Sequence, residues 1–280
     1  MSSSTRPADT WDLPTRHLGR RTIVFDRLDS TNTYAAARAD DPANDGLVVV
    51  AREQTAGRGQ HGRTWQAPAG SSALLSALLF PPPALRRPAL LTAWAAVAVC
   101  DAIDALAGLD ARIKWPNDVL VEGRKACGIL IEQRTVASGQ WVVTRDEPSP
   151  PATSHWPLAT ICGIGLNLNQ TADHFAVAGL EQAGSLGSLT GSRYSCDQAT
   201  RLLIQLLDEQ YGRLLQGDVR TLESTWKQRF GLLGEPVVVE CADGDRHGRL
   251  IDLGWEGVQL ETSRGLSCLV PETVRHLRPQ

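Results

Sequence analysis

Apolar positions along the chain follow one pattern up to about Asn169 and another beyond it. In the first part they cluster in short, nearly unbroken runs. Ala73-Leu74-Leu75-Ser76-Ala77-Leu78-Leu79-Phe80 predicts a buried strand, ended by Pro81-Pro82-Pro83. Thr22 to Phe25, Gly46 to Arg52, Ala111 to Ile113, Trp141 to Val143 and Leu158 to Asn167 predict further strands. Val119 to Val121 and Lys125 to Glu132 predict a hairpin around Glu122-Gly123-Arg124. Ser30 or Thr31 can cap a helix running to about Ala39. Pro88 suits the first position of a long helix that Gly108 ends. This stretch contains Asp101 and Asp104, so it reads as a buried helix rather than a membrane span. Beyond Asn169, Ser195 and Gln198 form a capping box. Leu202, Leu203, Leu206, Leu207, Tyr211, Leu214 and Leu215 then recur at helical spacing and predict a core-facing helix. A second helix spans Val219 to Phe230. From Glu235 onward, Val237 to Glu240, Arg249 to Asp252, Val258 to Leu260 and Cys268 to Val270 predict a small all-β module. Arg145 to Pro157 holds four prolines and predicts a flexible surface loop.

These elements divide the chain into a flexible N-terminal extension (1–21), a large unit (22–233) and a small C-terminal unit (234–280). A chain of 280 residues, 42% of them hydrophobic, is long enough for this. The net charge of -3 and a pI near 6.1 argue against a broad nucleic-acid-binding face. The polar N-terminus, Met1 to Arg21, has no apolar core of signal-peptide type. Six cysteines are scattered without a CxxC pair, several of them in apolar runs. They read as small reduced core residues of a cytoplasmic protein. The histidines show no metal-ligand spacing.

Chemistry concentrates in two segments. Gly57-Arg58-Gly59-Gln60-His61-Gly62-Arg63-Thr64-Trp65 is a glycine-rich loop with two arginines. Glycine lets backbone N–H groups approach an anion closely. Arg-Gly repeats also occur in disordered nucleic-acid-binding tails, but Trp65 and the core strand that follows place this loop inside a fold. Lys114-Trp115-Pro116-Asn117-Asp118 adds a lysine beside a proline corner. Three permanent cations and many backbone donors suit an enzyme that joins a carboxylate to a nucleotide triphosphate.

Four further stretches occur in order: Leu28-Asp29-Ser30-Thr31-Asn32-Thr33, Arg52-Glu53-Gln54-Thr55-Ala56, Lys125-Ala126-Cys127-Gly128-Ile129-Leu130-Ile131-Glu132, and Ile161-Cys162-Gly163-Ile164-Gly165-Leu166-Asn167-Leu168-Asn169. With the two segments above, they make the chain resemble the biotin protein ligases from about Thr22 to the C-terminus. The resemblance implies an α+β fold: a mixed β-sheet with helices, like class II aminoacyl-tRNA synthetases, plus a C-terminal SH3-like barrel. It implies two steps. The biotin carboxylate attacks the α-phosphate of ATP, and a carrier lysine then takes the biotinyl group from biotinyl-5′-AMP. ATP, biotin and Mg²⁺ follow as ligands, and the biotin carboxyl carrier protein of acetyl-CoA carboxylase as partner.

Site residues carry over position by position. Lys114 and Arg58 are the catalytic candidates. Ser30, Thr31, Asn32, Gln54, Arg58, Gly59, Gln60, Lys114 and Gly128 fall on the biotin side. Gly57, Arg58, Arg63, Trp65, Lys114, Asn117 and Asn167 fall on the ATP side, and Asp118 is a candidate metal ligand. Asn117 and Asp118 can equally serve only the turn, and Trp65 only the core. Gln60 stands where several family members carry an arginine that helps hold the adenylate, so retention is expected to be weaker. About twenty residues precede the first strand, too few for a helix-turn-helix, so no specific DNA binding is expected. No membrane partner is expected, and monomer and homodimer both remain open. A lipoate-type acyl ligase is the alternative reading; the Lys-Trp-Pro-Asn-Asp motif and the β module favour biotin.

Overall fold

The computed structural model describes residues 6–135, 142–143, 158–241 and 243–280. In chain order the large unit holds β1 (Asp9–Trp11), β2 (Thr22–Phe25), α1 (Thr31–Ala36), β3 (Val48–Ala51), β4 (Gly57–Arg58), β5 (Thr64–Trp65), β6 (Ser72–Leu79) and α2 (Pro88–Ala107). It continues with β7 (Ala111–Lys114), β8 (Asp118–Val121), β9 (Arg124–Thr135), β10 (Val142–Val143), β11 (Leu158–Asn167), α3 (Ala172–Val177), α4 (Leu186–Thr190), α5 (Cys196–Leu215) and α6 (Val219–Phe230). The C-terminal unit is all β: β12 (Pro236–Cys241), β13 (Gly244–Leu253), β14 (Val258–Thr262), β15 (Gly265–Leu269) and β16 (Val274–Pro279).

The main sheet has nine strands in the order β1-β2-β3-β6-β11-β9-β8-β7, with β10 also paired to β9. β2 and β3 are parallel, whereas the other neighbours along the path are antiparallel, so the sheet is mixed. Alternate strand residues serve opposite faces. Val48 and Val50 join one hydrophobic cluster with α2 and α5, while Val49 and Ala51 join a smaller one with α1. In the same way Ile129, Ile131, Cys162, Ile164 and Leu166 belong to the α2 face. Their alternates Gly128, Glu132, Gly163 and Gly165 are left to the other face, where the site lies.

α2 begins at Pro88 and ends at Gly108, whose φ of 64° is the left-handed conformation that glycine tolerates best. It is long and apolar enough to cross a membrane, but it packs against β7, β9, β11, α5 and α6. The β8–β9 hairpin turns through Glu122 (φ 51°) and Gly123 (φ 75°), as the sequence predicts. Ser195 caps α5 by accepting the Gln198 N–H at 3.3 Å. The reciprocal capping box is found instead at Ser185 and Ser188.

Three expectations change. The flexible 1–21 extension is contradicted over residues 6–21. β1 extends the sheet at β2, Trp11 is buried under the Arg201 guanidinium, and Asp208 accepts the backbone N–H groups of Arg16, His17 and Leu18 at 2.9, 2.7 and 2.9 Å. Ser30 occupies the cap position of α1, yet its side chain makes no capping bond. Gln54 accepts the Thr31 N–H at 2.7 Å instead. The last predicted strand of the module moves to Gly265–Leu269, and β16 is an additional strand. The predicted 145–157 loop and Trp141 lie outside the described residues.

The C-terminal sheet runs β15-β14-β13-β12-β16, antiparallel throughout. Val237, Val239, Leu250, Val258, Leu260 and Leu277 share one hydrophobic cluster with α2 and α6. Trp226 of α6 stacks on Trp255, ring centroids 4.9 Å apart. The Trp115 Nε1–H donates to the Val274 carbonyl at 2.9 Å.

Candidate active site

The site is built on the α1 face of β6, β11 and β9. A polar chain crosses it. Gln54 Oε1 accepts from both Thr31 N–H and Thr31 Oγ1, at 2.7 and 3.1 Å. The Ser76 hydroxyl reaches Thr31 Oγ1 at 2.7 Å and Asn32 Oδ1 at 2.5 Å. Asn32 Nδ2 donates to Glu132 Oε2 at 2.7 Å, and the other Glu132 oxygen pairs with Arg58. Glu132 is only 2% exposed. A carboxylate buried that deeply requires a charged or hydrogen-bonded partner, and it has both. Burial lowers the Arg58 pKa, against the pull of nearby Asp29.

Ser76 and Glu132 are site residues that the sequence reading does not assign. Each left a signal. Ser76 is a hydroxyl inside the leucine-rich run of β6, and Glu132 is a charge that closes the apolar stretch from Ala126 to Ile131. Ser30 is buried beside them, its N–H bound to Asp29 Oδ1 at 2.6 Å.

β4 and β5 form a two-stranded hairpin that carries the glycine loop, with Gly57 opposite Trp65 and Arg58 opposite Thr64. The Gly59 N–H donates to the Arg63 carbonyl at 2.8 Å, closing the loop around Gln60. The indole of Trp65 lies over Gly128 and Gly165, which face each other across β9 and β11. A Cβ at Gly165 would come within 2.5 Å of the ring, and one at Gly128 within 2.9 Å. Both positions therefore require glycine for the aromatic ring to approach the sheet. The buried Nε1 of Trp65 has no hydrogen-bond partner among the described residues.

Lys125 Nζ sits 5.9 Å from the Trp65 ring centre and pairs with Asp118 at 2.6 Å. That pairing engages the carboxylate of Asp118, the candidate metal ligand. Asn117 braces the turn: its amide donates to the Ile129 carbonyl at 2.6 Å, and its own carbonyl accepts the Ile129 N–H at 3.0 Å. Asn167 is likewise engaged by protein, donating to Gly184 O at 3.1 Å and accepting from Gln170 Nε2 at 2.7 Å.

Lys114 ends β7 with its side chain exposed, opposite Asp118 across the turn. Arg63 is exposed on the hairpin. Neither has an ion-pair partner among the described residues. The Trp65 ring of the hairpin lies against Gly128, whose partner across the sheet is Asp118 at the end of the Lys114 turn, so the two cationic segments come together there.

A buried chain of polar side chains beside two exposed cations that have no ion-pair partner among the described residues is the arrangement the fold presents. Residues 24–144 match the model of the Biotin/lipoate A/B protein ligase family. The chain is 39% identical over 256 residues to the biotin–[acetyl-CoA-carboxylase] ligase of Mycobacterium tuberculosis, covering 84% of each. It is 35% identical over 226 residues to that of Paracoccus denitrificans, covering 79% of this chain and 86% of the relative. Similarity to the bifunctional ligase/repressor BirA of Bacillus subtilis is 30% over 255 residues, 91% of this chain and 73% of the other. The biotin protein ligase of Aquifex aeolicus, solved in complex with biotin and ATP, shares the fold with a TM-score of 0.72 at 22% identity, covering 92% and 99% of the two chains. The chain belongs to the biotin protein ligase family.

Proposed function

We infer that the chain is an ATP-dependent ligase that activates biotin and transfers it to a lysine of a carrier protein. The observation that carries this reading is the meeting of the two cationic segments beside the Arg58–Glu132–Asn32–Ser76–Thr31–Gln54 chain. The biotin–[acetyl-CoA-carboxylase] ligases it resembles support it.

In the first step a biotin carboxylate oxygen bonds to the α-phosphorus of ATP while the bond to the β-phosphate oxygen breaks. Two anions must approach, and charge grows on the phosphoryl oxygens. Lys114 is the point charge we assign to both the carboxylate and the α-phosphate, with Arg63 and the hairpin N–H groups on the phosphate side. One fixed donor at such a position contributes about 3–4 kcal/mol to catalysis. The polar chain serves the ureido end, which offers N–H donors and a carbonyl acceptor. In the second step the carrier amine attacks the acyl carbon and AMP leaves with the electron pair.

We assign Mg²⁺ to the nucleotide rather than to a protein cage, in keeping with the Asp118–Lys125 pair. We read the small module as SH3-like and the large unit as related to class II synthetases. The carrier is proposed to be that of acetyl-CoA carboxylase, and the location cytoplasmic.

Acid-dependent exchange of pyrophosphate into ATP, with biotin and lipoate in parallel, tests the reading. Exchange is expected with biotin, and Lys114→Ala is expected to lower it about 100- to 1000-fold. Exchange with lipoate instead, or with neither acid, would overturn it.

A further inference from the structure

Counting hydrogens along the polar chain gives it a direction, and Glu132 sets that direction. The Arg58 guanidinium only donates, so the Glu132 carboxylate that it pairs with presents its other oxygen to Asn32 as an acceptor. Asn32 therefore turns Nδ2 to Glu132 at 2.7 Å and Oδ1 to Ser76 at 2.5 Å. An amide oxygen carries no hydrogen, so the single Ser76 hydrogen lies on the bond to Asn32. One hydrogen cannot serve two contacts, and Ser76 meets Thr31 Oγ1, 2.7 Å away, with a lone pair. The single Thr31 hydrogen is then used inside the polar chain, shared between Ser76 Oγ and Gln54 Oε1 at 3.1 Å. Thr31 Oγ1 has only lone pairs left for a ligand. Gln54 beside it is turned the other way. Its oxygen accepts the Thr31 backbone N–H at 2.7 Å, which leaves Nε2 to donate. Thr31, Asn32, Ser76 and Glu132 are all buried, so water does not scramble this order. Gly163 admits the Asn32 amide, for a Cβ there would come within 2.2 Å of Oδ1.

Resting on the ligase reading above, we propose that Glu132 is a positioning residue for ligand selection: acting through Asn32 and Ser76, it keeps the Thr31 hydroxyl an acceptor, so that the site takes a ring N–H there and rejects a ring atom that can only accept. The neighbouring acceptor and donor, Thr31 Oγ1 and Gln54 Nε2, match the N–H and C=O of one edge of a cyclic urea. The same count says what an amide at position 132 does. In Glu132→Gln the amide oxygen has to face Arg58, which leaves the NH2 group facing Asn32. Asn32 then turns over, its Nδ2 donates to Ser76, and the Ser76 hydrogen passes to Thr31 Oγ1. The Thr31 hydrogen is released toward Gln54 or the ligand. Adding Asn32→Asp restores the original order, because a carboxylate at position 32 accepts both from the amide and from Ser76.

The test titrates biotin and two cyclic-carbamate analogues, in each of which an oxygen replaces one ureido N–H, into wild type, Glu132→Gln and Glu132→Gln combined with Asn32→Asp. Wild type is expected to bind at least one analogue about 10- to 100-fold more weakly than biotin, the cost of setting two acceptors against each other in a buried site. Glu132→Gln is expected to remove most of that difference, weakening biotin and strengthening the analogue, and the double variant to restore it. Equal weakening of all three ligands in both variants is what a merely structural role gives, and it would overturn the proposal. Neutron diffraction of the ligand-free proteins reads the order directly. The Ser76 deuterium is expected toward Asn32 in wild type and the double variant, and toward Thr31 in Glu132→Gln. A deuterium toward Thr31 in wild type would also overturn the proposal, even if neither variant folds. If the wild type binds no biotin and the deuterium still lies toward Asn32, the ligase reading fails and the hydrogen-bond order stands.

Discussion

At the scale of single residues, Glu132 does two things. It holds Arg58 and it orients Asn32, whose other end meets Ser76. Glu132→Gln keeps the shape but removes the charge, leaving Arg58 without its counter-ion. Because Arg58 is partly exposed, the expected loss of stability is only about 1–2 kcal/mol. A larger effect is expected on biotin affinity, since Asn32 loses its fixed orientation; urea unfolding and calorimetric titration of biotin measure the two separately. Gln60 sits in the loop closed by Gly59 and Arg63 and brings no charge. Gln60→Arg is expected to slow release of biotinyl-5′-AMP, and equal release rates in the two proteins would sink that expectation. Residue roles were unevenly legible. The Lys114 and Arg58 motifs stand out in the chain because both are uncommon combinations. The Arg58–Glu132 pair could not be read, because 74 residues separate its members and only sheet register brings them together. Asn117 and Asn167 show what the sequence hides: the fold gives their amides hydrogen bonds to backbone and neighbouring side chains.

At the scale of elements, hydrophobic patterning reached most of the fold. β2, β11 and α2 fall where continuous apolar runs, Pro88 and Gly108 put them. β16 was hidden because Val274-Arg-His-Leu-Arg-Pro alternates weakly and ends in proline, and β1 because three residues give no periodicity. The register of β9 against β11 then does what no single strand announces: it sets Gly128 opposite Gly165 and makes room for Trp65. Asp208 is the element-scale anchor of the N-terminal segment. Asp208→Ala leaves three backbone N–H groups without an acceptor and is expected to cost about 2–4 kcal/mol. Denaturant titration measures the cost, and amide exchange at Arg16, His17 and Leu18 should show this segment opening first. Slow exchange there in the variant would contradict the assignment.

At the scale of the whole molecule, the two sheets share one hydrophobic cluster. Trp115, Trp226, Phe230 and Trp255 form a continuous aromatic seam between them. Units joined in this way are expected to unfold together, so scanning calorimetry should give one transition. Two separated peaks would show that the division near Gly234 is also a boundary in stability.

The bond from Asp208 to Leu18 closes a loop of 190 residues. During synthesis the N-terminal segment leaves the ribosome early, whereas its anchor in α5 arrives when most of the chain is already made. Until then β2 has no neighbour fixed on its outer side, and an unpaired strand edge is the kind of surface on which nascent chains associate wrongly. Damage to this anchor should therefore appear first as a lower yield of soluble protein, while the molecules that do mature keep normal turnover.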